Sequence, residues 1–257
     1  MAFIQCRFFS EVLKLTTSMT VILPEQTAGQ MGTESVSKQE RHQTLYLLHG
    51  LSDDDSIWTR RTSIERYVST LGIAVVMPQV HRSFYTNMAY GNQYWTFLHE
   101  ELPRVARSFF PLSAKREDNF VAGLSMGGYG ALKWALRKPT QFAAVASLSG
   151  VTDIVNIANV PEVSLDDYDL IFGDEDARNT DNDLFWLIEQ VDQMNGPKPK
   201  IYQCCGTEDF LYEDNIAFRK ACEQTNLDFT YEEEQGTHDW DYWDKKIQDV
   251  LAWLPIR

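Results

Sequence analysis

From residue 44 onward, short apolar runs alternate with stretches whose apolar residues recur at helical spacing. Runs that are apolar on both faces are typical of parallel strands covered by helices on both sides. The alternation therefore predicts an α/β fold with a mostly parallel central sheet and helices on both faces. The apolar runs cover residues 44–48, 73–77, 119–122, 142–148 and 200–205, with a last strand candidate at 227–231, and the helical stretches cover 56–71, 94–110, 126–137, 213–224 and 239–254.

Two regions depart from this alternation. Residues 6–10 and 14–23 alternate like strands and predict an N-terminal antiparallel hairpin, followed by a polar connection at 25–42. Residues 151–195 form an acidic, partly irregular insert, and long inserts in α/β domains often cover or shape the active site. The alternative is that this insert is a solvent-exposed surface segment without a role at the site. A length of 257 residues fits a single domain that spans residues 1–257.

Composition excludes several classes of function. The net charge is −14 and Lys and Arg form no large cluster, which disfavours binding to nucleic acid or to an anionic membrane surface. No apolar run approaches the roughly 20 residues of a membrane-spanning helix, and the N-terminus lacks a signal-peptide pattern, so we expect a cytoplasmic protein. The cysteines, Cys6, Cys204, Cys205 and Cys222, fit reduced thiols, and no CxxC or HExxH motif indicates a metal.

The strongest chemical signal is the segment Gly123-Leu124-Ser125-Met126-Gly127. It directly follows the strand candidate at 119–122 and directly precedes the helical stretch at 126–137. A serine on such a sharp strand-to-helix turn has an exposed hydroxyl, and flanking glycines are needed where strand and helix approach closely. The pattern predicts that Ser125 is a nucleophile. The alternative is a glycine-rich structural turn.

A serine nucleophile needs a histidine base and an acid that orients the base, and this fold arranges them in the order Ser, acid, His. His238 is the only histidine after Ser125, and it lies between the last strand and the last helix. The acid should follow the strand at 200–205, where Asp209 is our choice, with Glu208 as its main rival and Asp214 as a third candidate.

The oxyanion formed in ester hydrolysis needs backbone N–H donors that are already in position. One donor should be the N–H of Met126, the residue after the nucleophile. The second should come from the loop after the strand that ends in His49-Gly50, which makes the N–H of Leu51 the candidate. We expect His49 to shape this loop rather than to carry protons. No metal or cofactor is required.

Three segments, at 49–58, 123–132 and 236–240, resemble the esterase D-like group of the α/β-hydrolases. Residues 83–88 with Tyr94 and Trp95 fit its tributyrin esterase branch from lactic-acid and related Gram-positive bacteria. The resemblance implies an α/β-hydrolase fold and a cytoplasmic serine carboxylesterase for small short-chain acyl esters, without a cofactor. It also implies the triad Ser125, Asp209 and His238, oxyanion donors at Leu51 and Met126, and a homo-oligomer.

The substrate is less constrained than the chemistry. Trp58, Tyr85, Tyr94 and Trp95 lie near loops that should face the site and are candidate substrate-binding residues, although aromatic residues at such spacing are more often core. The insert at 151–195 is a candidate cap over the acyl pocket. Alternative functions are a carbohydrate-ester hydrolase of the acetyl-xylan or feruloyl esterase type, an S-formylglutathione-type thioesterase, an acyltransferase, and a binding protein that has the hydrolase fold but no catalytic activity.

Overall fold

The fold was obtained as a computed structural model that describes residues 1–25, 40–160, 168–174 and 176–257. Most of the polar connection predicted at 25–42 and part of the insert predicted at 151–195 lie outside the described residues. Within the described ranges, no helix combines the length and the hydropathy needed to cross a bilayer.

A single eight-stranded sheet runs through the described part of the chain, in the order β1-β2-β4-β3-β5-β6-β7-β8. The first two strands form the predicted antiparallel hairpin, and β2 also pairs antiparallel with β4. The six remaining strands are parallel to one another. The strands are β1 (Ala2–Ser10), β2 (Leu15–Leu23), β3 (Thr44–Leu48), β4 (Ala74–Pro78), β5 (Asn119–Leu124), β6 (Ala144–Leu148), β7 (Lys200–Gly206) and β8 (Phe229–Glu234).

Helices cover both faces of this sheet, as predicted. One face packs against α4, α5, α7 and α8, and the other packs against α1, α2 and α9. The helices are α1 (Ile57–Arg61), α2 (Ile64–Val68), α3 (Tyr94–Thr96), α4 (Leu102–Phe109), α5 (Met126–Arg137), α6 (Tyr168–Phe172), α7 (Leu184–Gln193), α8 (Tyr212–Cys222) and α9 (Trp240–Trp253), with a π-helical turn at Phe97–Glu101 and 3₁₀ turns at Arg116–Asp118 and Asn156–Asn159.

The central strands feed both hydrophobic cores because successive side chains of a strand point to opposite faces. In β3, Tyr46 and Leu48 belong to the core under α5, whereas Leu45 and Leu47 belong to the core under α9. All four side chains are almost completely buried. This double burial explains why the run is apolar throughout rather than alternating.

The helical stretch predicted at 56–71 is two short helices rather than one. The hydroxyl of Thr62 donates to the Trp58 carbonyl at 2.6 Å and accepts the Ile64 N–H at 3.1 Å. The Trp58 carbonyl also accepts the Thr62 N–H at 3.1 Å, and the Thr62 backbone is extended, with φ −132° and ψ 172°, so α1 ends here. The Ile64 N–H is bonded to the Thr62 hydroxyl in place of a helical carbonyl.

The predicted insert is more regular than its composition suggests, because it contains α6 and α7. Helix α7 begins after Asp183, whose carboxylate accepts the N–H groups of Phe185 and Trp186. An N-cap aspartate before an apolar run at helical spacing indicates a helix, although the sequence analysis predicted none here.

The parallel strands bring four loops to one edge of the sheet. The carboxyl ends of β3, β5, β7 and β8 lead into the loops that carry the candidate site residues. The register pairs Leu48 with Gly123, so the loop after β3 lies directly beside the turn after β5. Open α/β sheets bind their ligands at this edge.

Candidate active site

Ser125 occupies a strained turn between β5 and α5. Its backbone has φ 52° and ψ −120°, a conformation that residues with a side chain rarely adopt. The turn is so tight that a Cβ atom on Gly123 would lie 2.3 Å from the Gly127 carbonyl oxygen, and one on Gly127 would lie 2.5 Å from the Leu48 carbonyl oxygen. Only glycine fits at both positions, so the two glycines permit the turn that exposes the Ser125 hydroxyl.

The structure brings Ser125, His238 and Asp209 together in hydrogen-bonding order. The His238 Nε2 atom lies 3.0 Å from the Ser125 Oγ atom. The His238 Nδ1 atom lies 2.9 Å from one Asp209 carboxylate oxygen and 3.0 Å from the other. Because an ionised carboxylate only accepts, Nδ1 carries the imidazole proton and Nε2 is left to accept the proton of the serine hydroxyl.

Asp209 is held by its own loop. Its side chain is fully buried, and its Oδ1 atom also accepts the Leu211 N–H at 2.9 Å. The two rival carboxylates point elsewhere: Glu208 accepts from the Gln235 amide, and Asp214 accepts from the Asn156 amide. Of the three carboxylates, Asp209 alone therefore contacts the imidazole.

Asp239, the neighbour of His238 in sequence, has a different task. Its carboxylate accepts the Tyr242 N–H at 3.0 Å and the Thr237 hydroxyl, so it caps the N-terminus of α9. These hydrogen bonds lower the pKa of the Asp239 carboxyl below its ordinary value. The cap fixes where α9 begins and thereby where the preceding His238 lies.

One predicted oxyanion donor, the Leu51 N–H, lies in the loop after β3, and the other, the Met126 N–H, belongs to the first residue of α5. Within the described ranges, neither the Leu51 N–H nor the Met126 N–H is taken by a hydrogen-bond acceptor. The first N–H groups of a helix have no intrahelical partner, which explains the free donor at Met126.

His49 holds the peptide group that contains the Leu51 N–H. The His49 Nε2 atom accepts the Val80 N–H at 3.2 Å, so Nδ1 carries the proton and donates it to the Gly50 carbonyl at 2.7 Å. The carbonyl of Gly50 and the N–H of Leu51 belong to one planar trans peptide and point in opposite directions. By fixing the carbonyl, His49 fixes the direction of the Leu51 N–H.

This role requires a neutral imidazole. Complete burial lowers the pKa of His49 to about 4, well below its ordinary value of 6.5. A protonated His49 could not accept the Val80 N–H. The sequence expectation that His49 shapes the loop agrees with this geometry.

Of the four aromatic residues proposed to bind substrate, two hold the backbone of the same loop instead of lining a cavity. Trp58 is 1% exposed and donates its Nε1–H to the Leu48 carbonyl at 3.0 Å. Tyr85 is completely buried and donates its hydroxyl to the His49 carbonyl at 2.9 Å. Their polar tips satisfy buried carbonyl groups, which is the usual arrangement for a buried Trp or Tyr.

The other two lie farther along the chain. Trp95 is buried and stacks on His99 with ring centroids 4.5 Å apart, so it belongs to the core. Tyr94 lies on the wall of a cavity of about 440 Å³ that adjoins the cavity at Ser125. Of the four, Tyr94 is therefore the residue that the structure brings to a cavity wall.

The hydroxyl of Ser125 opens into a cavity of about 570 Å³. This catalytic cavity is lined by the loop from Gly50 to Asp53, by Arg82 and Leu124, and next to His238 by Phe210, Asp239, Trp240 and Trp243. The adjoining cavity shares Leu51, Ser52, Asp53 and Arg82 with it and includes Leu170 from the insert.

Sequence reasoning did not single out Phe210 or Trp243, although both contact the candidate base. The Phe210 ring lies 4.4 Å from the His238 ring between centroids, and the Trp243 ring meets it edge-on at 4.9 Å. Their closeness in sequence to Asp209 and His238 is the signal that could have found them.

Other chemistries find little support among the described side chains. No group of three or more His, Cys, Asp and Glu residues there is arranged to hold a metal ion. Cys204, Cys205 and Cys222 are buried free thiols whose pKa is raised by desolvation, which leaves them protonated and unreactive near neutral pH.

The mostly parallel sheet, its antiparallel hairpin and the strained serine turn after β5 define an α/β-hydrolase. The family model named Esterase matches residues 10–254, and the chain belongs to this family. An acetyl esterase from Caldicellulosiruptor saccharolyticus is 34% identical over 262 residues, covering 99% of this chain and 98% of that protein.

Two solved structures from Staphylococcus aureus are similar over their full length. One is the fluorophosphonate-binding serine hydrolase F, which is 37% identical with a TM-score of 0.89. The other is an S-formylglutathione hydrolase, which is 37% identical with a TM-score of 0.85. Each alignment covers 98% of both chains. The protein is a carboxylic ester hydrolase, and these comparisons name no tributyrin esterase branch.

Proposed function

We propose that the chain hydrolyses short-chain acyl esters of small molecules, in the manner of the tributyrin esterases, through an acyl-enzyme on Ser125. The observation that carries this proposal is the unbroken hydrogen-bond series from Asp209 through His238 to Ser125, which ends in an open cavity. A serine hydroxyl is a weak nucleophile unless a base removes its proton, and this series supplies the base.

Acylation begins when Ser125 Oγ attacks the ester carbonyl carbon while its proton passes to His238 Nε2. Asp209 keeps the imidazole in the required tautomer and stabilises the imidazolium that forms. The N–H groups of Leu51 and Met126 hold the oxyanion of the tetrahedral intermediate. The intermediate collapses when the bond to the alcohol oxygen breaks and that oxygen takes the proton from His238.

Deacylation repeats the same steps with water. His238 Nε2 removes a proton from a water molecule as the water oxygen attacks the acyl carbon of the ester on Ser125. The oxyanion again lies at Leu51 and Met126. The Ser125–acyl bond then breaks, Ser125 recovers its proton from His238, and the carboxylic acid leaves.

The preference for short acyl chains is supported by the cavity and by the relative named acetyl esterase. Leu170 of the insert lines the cavity that adjoins the catalytic cavity and shares four of its residues. We propose that the insert at 151–195 limits acyl length in this way.

A series of p-nitrophenyl esters from acetate to laurate tests the chain-length preference. The expected result is highest kcat/KM for acetate to butyrate, with a steep fall at longer acyl chains, and Leu170→Ala should shift the fall toward longer chains. Equal kcat/KM along the series would contradict a restrictive pocket.

A thioesterase is the second candidate, favoured by the similarity to the S-formylglutathione hydrolase over the whole chain. The same triad cleaves a thioester, because the acyl-enzyme is identical and only the leaving group differs. Comparing kcat/KM for S-formylglutathione with that for simple acyl esters, and for acetylated xylo-oligosaccharides in the same panel, distinguishes the thioesterase and the carbohydrate-ester hydrolase from the function proposed above.

A further inference from the structure

The wall of the catalytic cavity is chemically divided. On the oxyanion side lie Gly50, Leu51, Ser52 and Asp53, which present mostly backbone and polar groups. Next to His238 lie three aromatic side chains, those of Phe210, Trp240 and Trp243, together with Asp239, whose carboxylate caps α9.

The leaving alcohol must lie on the aromatic side. In the mechanism proposed above, the alcohol oxygen takes its proton from His238 Nε2, so it lies within hydrogen-bond distance of that atom. The imidazole is in direct contact with Phe210 at 4.4 Å and Trp243 at 4.9 Å between ring centroids. A substituent on the alcohol oxygen therefore extends along these rings.

Phe210 is the most exposed of the three aromatic residues on this wall. Trp240 and Trp243 both belong to α9, and their rings meet edge-on at 5.3 Å between centroids. Trp243 is almost fully buried. Phe210 is 38% exposed although it is a large apolar side chain next to the fully buried Asp209 carboxylate. An aromatic ring left exposed on the wall of a cavity offers a face for stacking.

We propose that Phe210 is a specificity-determining residue that binds the leaving group, and that the enzyme prefers esters whose alcohol carries an aromatic or flat apolar group. This inference rests on the function proposed above and names the alcohol half of the substrate, which that function leaves open. Aromatic stacking contributes a several-fold preference, about three- to tenfold for one ring pair.

The test uses acetates that differ only in the alcohol, so that every substrate forms the same acetyl-enzyme. We measure kcat/KM for benzyl acetate and ethyl acetate with the wild type, Phe210→Ala, Phe210→Tyr and the control Phe9→Ala. Phe9 is an exposed phenylalanine on β1, outside the wall of the catalytic cavity. The ratio of the two substrates within each variant cancels their different intrinsic reactivity.

We expect Phe210→Ala to lower the benzyl-to-ethyl ratio about three- to tenfold. Phe210→Tyr should preserve the ratio because it keeps the ring, and Phe9→Ala should leave it unchanged. An equal fall for both acetates would overturn the proposal, because it would mean that Phe210 only supports His238. If the wild type hydrolyses none of the acetates, or if Ser125→Ala hydrolyses them as fast as the wild type, the proposed function itself fails and this inference fails with it.

Discussion

Replacing His49 by phenylalanine tests how the proposed oxyanion hole is built. The variant keeps a flat ring of similar size but removes both hydrogen bonds, to the Val80 N–H and to the Gly50 carbonyl. The Gly50 carbonyl retains the Asp53 N–H at 3.3 Å, a long contact that constrains it less. The peptide that carries the Leu51 N–H should therefore lose its fixed direction while the donor itself remains.

The size of the effect can be bounded from both sides. Removing an oxyanion donor outright costs about 10²- to 10³-fold in kcat, and a donor that is only loosened costs less. The lost hydrogen bond to the Gly50 carbonyl contributes about 1 kcal/mol, which is roughly fivefold. We therefore expect His49→Phe to lower kcat between about fivefold and 10²-fold, with little change in KM, because the bound ester carries no oxyanion and the negative charge develops only on the way to the tetrahedral intermediate.

The assay is steady-state hydrolysis of p-nitrophenyl acetate, with thermal unfolding of the same samples. The unpaired Val80 N–H should cost about 1–3 kcal/mol of stability, so kcat is measured well below the unfolding transition. Tyr46→Phe is the control, because among the described groups its buried hydroxyl has no hydrogen-bond partner to lose. A folded His49→Phe variant with unchanged kcat, or with a raised KM alone, would refute the reasoning.

Three further predictions follow from the same geometry. Asp209→Asn should lower kcat about 10³- to 10⁴-fold in steady-state kinetics, because the amide stabilises the wrong tautomer of His238. Glu208→Gln, in the same loop, should leave kcat nearly unchanged. Gly127→Ala should abolish activity or folding, checked by circular dichroism beside the kinetics, because its methyl group would lie 2.5 Å from the Leu48 carbonyl oxygen. The pKa of His49 is about 4 in the folded protein and near 6.5 in the unfolded chain, so between these pH values the unfolded chain binds one more proton and stability falls as the pH falls. Lowering the pH from 7 to 4 should therefore reduce the free energy of unfolding by about 3 kcal/mol more in the wild type than in His49→Phe, as denaturation at the two pH values can show.

The fold could be predicted from the sequence because the patterns that indicate it are local and recur along the chain. Each buried strand is a short apolar run, and the alternation of strands and helices allows few topologies. The α/β-hydrolase fold and the ester hydrolase class are both confirmed. The break between α1 and α2 could not be predicted from the sequence, because it depends on the extended backbone of Thr62 and on the Ile64 N–H that its hydroxyl accepts.

The site was predictable where chain order constrains it. Ser125 and His238 follow from one motif and from the position of a single histidine. The choice between Asp209 and Glu208 depends on which carboxylate turns inward, and the backbone of their loop decides it. The aromatic residues Trp58 and Tyr85 could not be placed from sequence, since burial depends on packing between distant segments.

The central claim is that Ser125 is the nucleophile, and covalent labelling tests it most directly. Ser52 is the other serine on the wall of the catalytic cavity and is therefore the matched control. A fluorophosphonate probe followed by peptide mass spectrometry should place the label on Ser125 in the wild type and in Ser52→Ala, and Ser125→Ala should lose both the label and ester hydrolysis. Labelling of Ser52, or ester hydrolysis that persists in a folded Ser125→Ala, would contradict the mechanism.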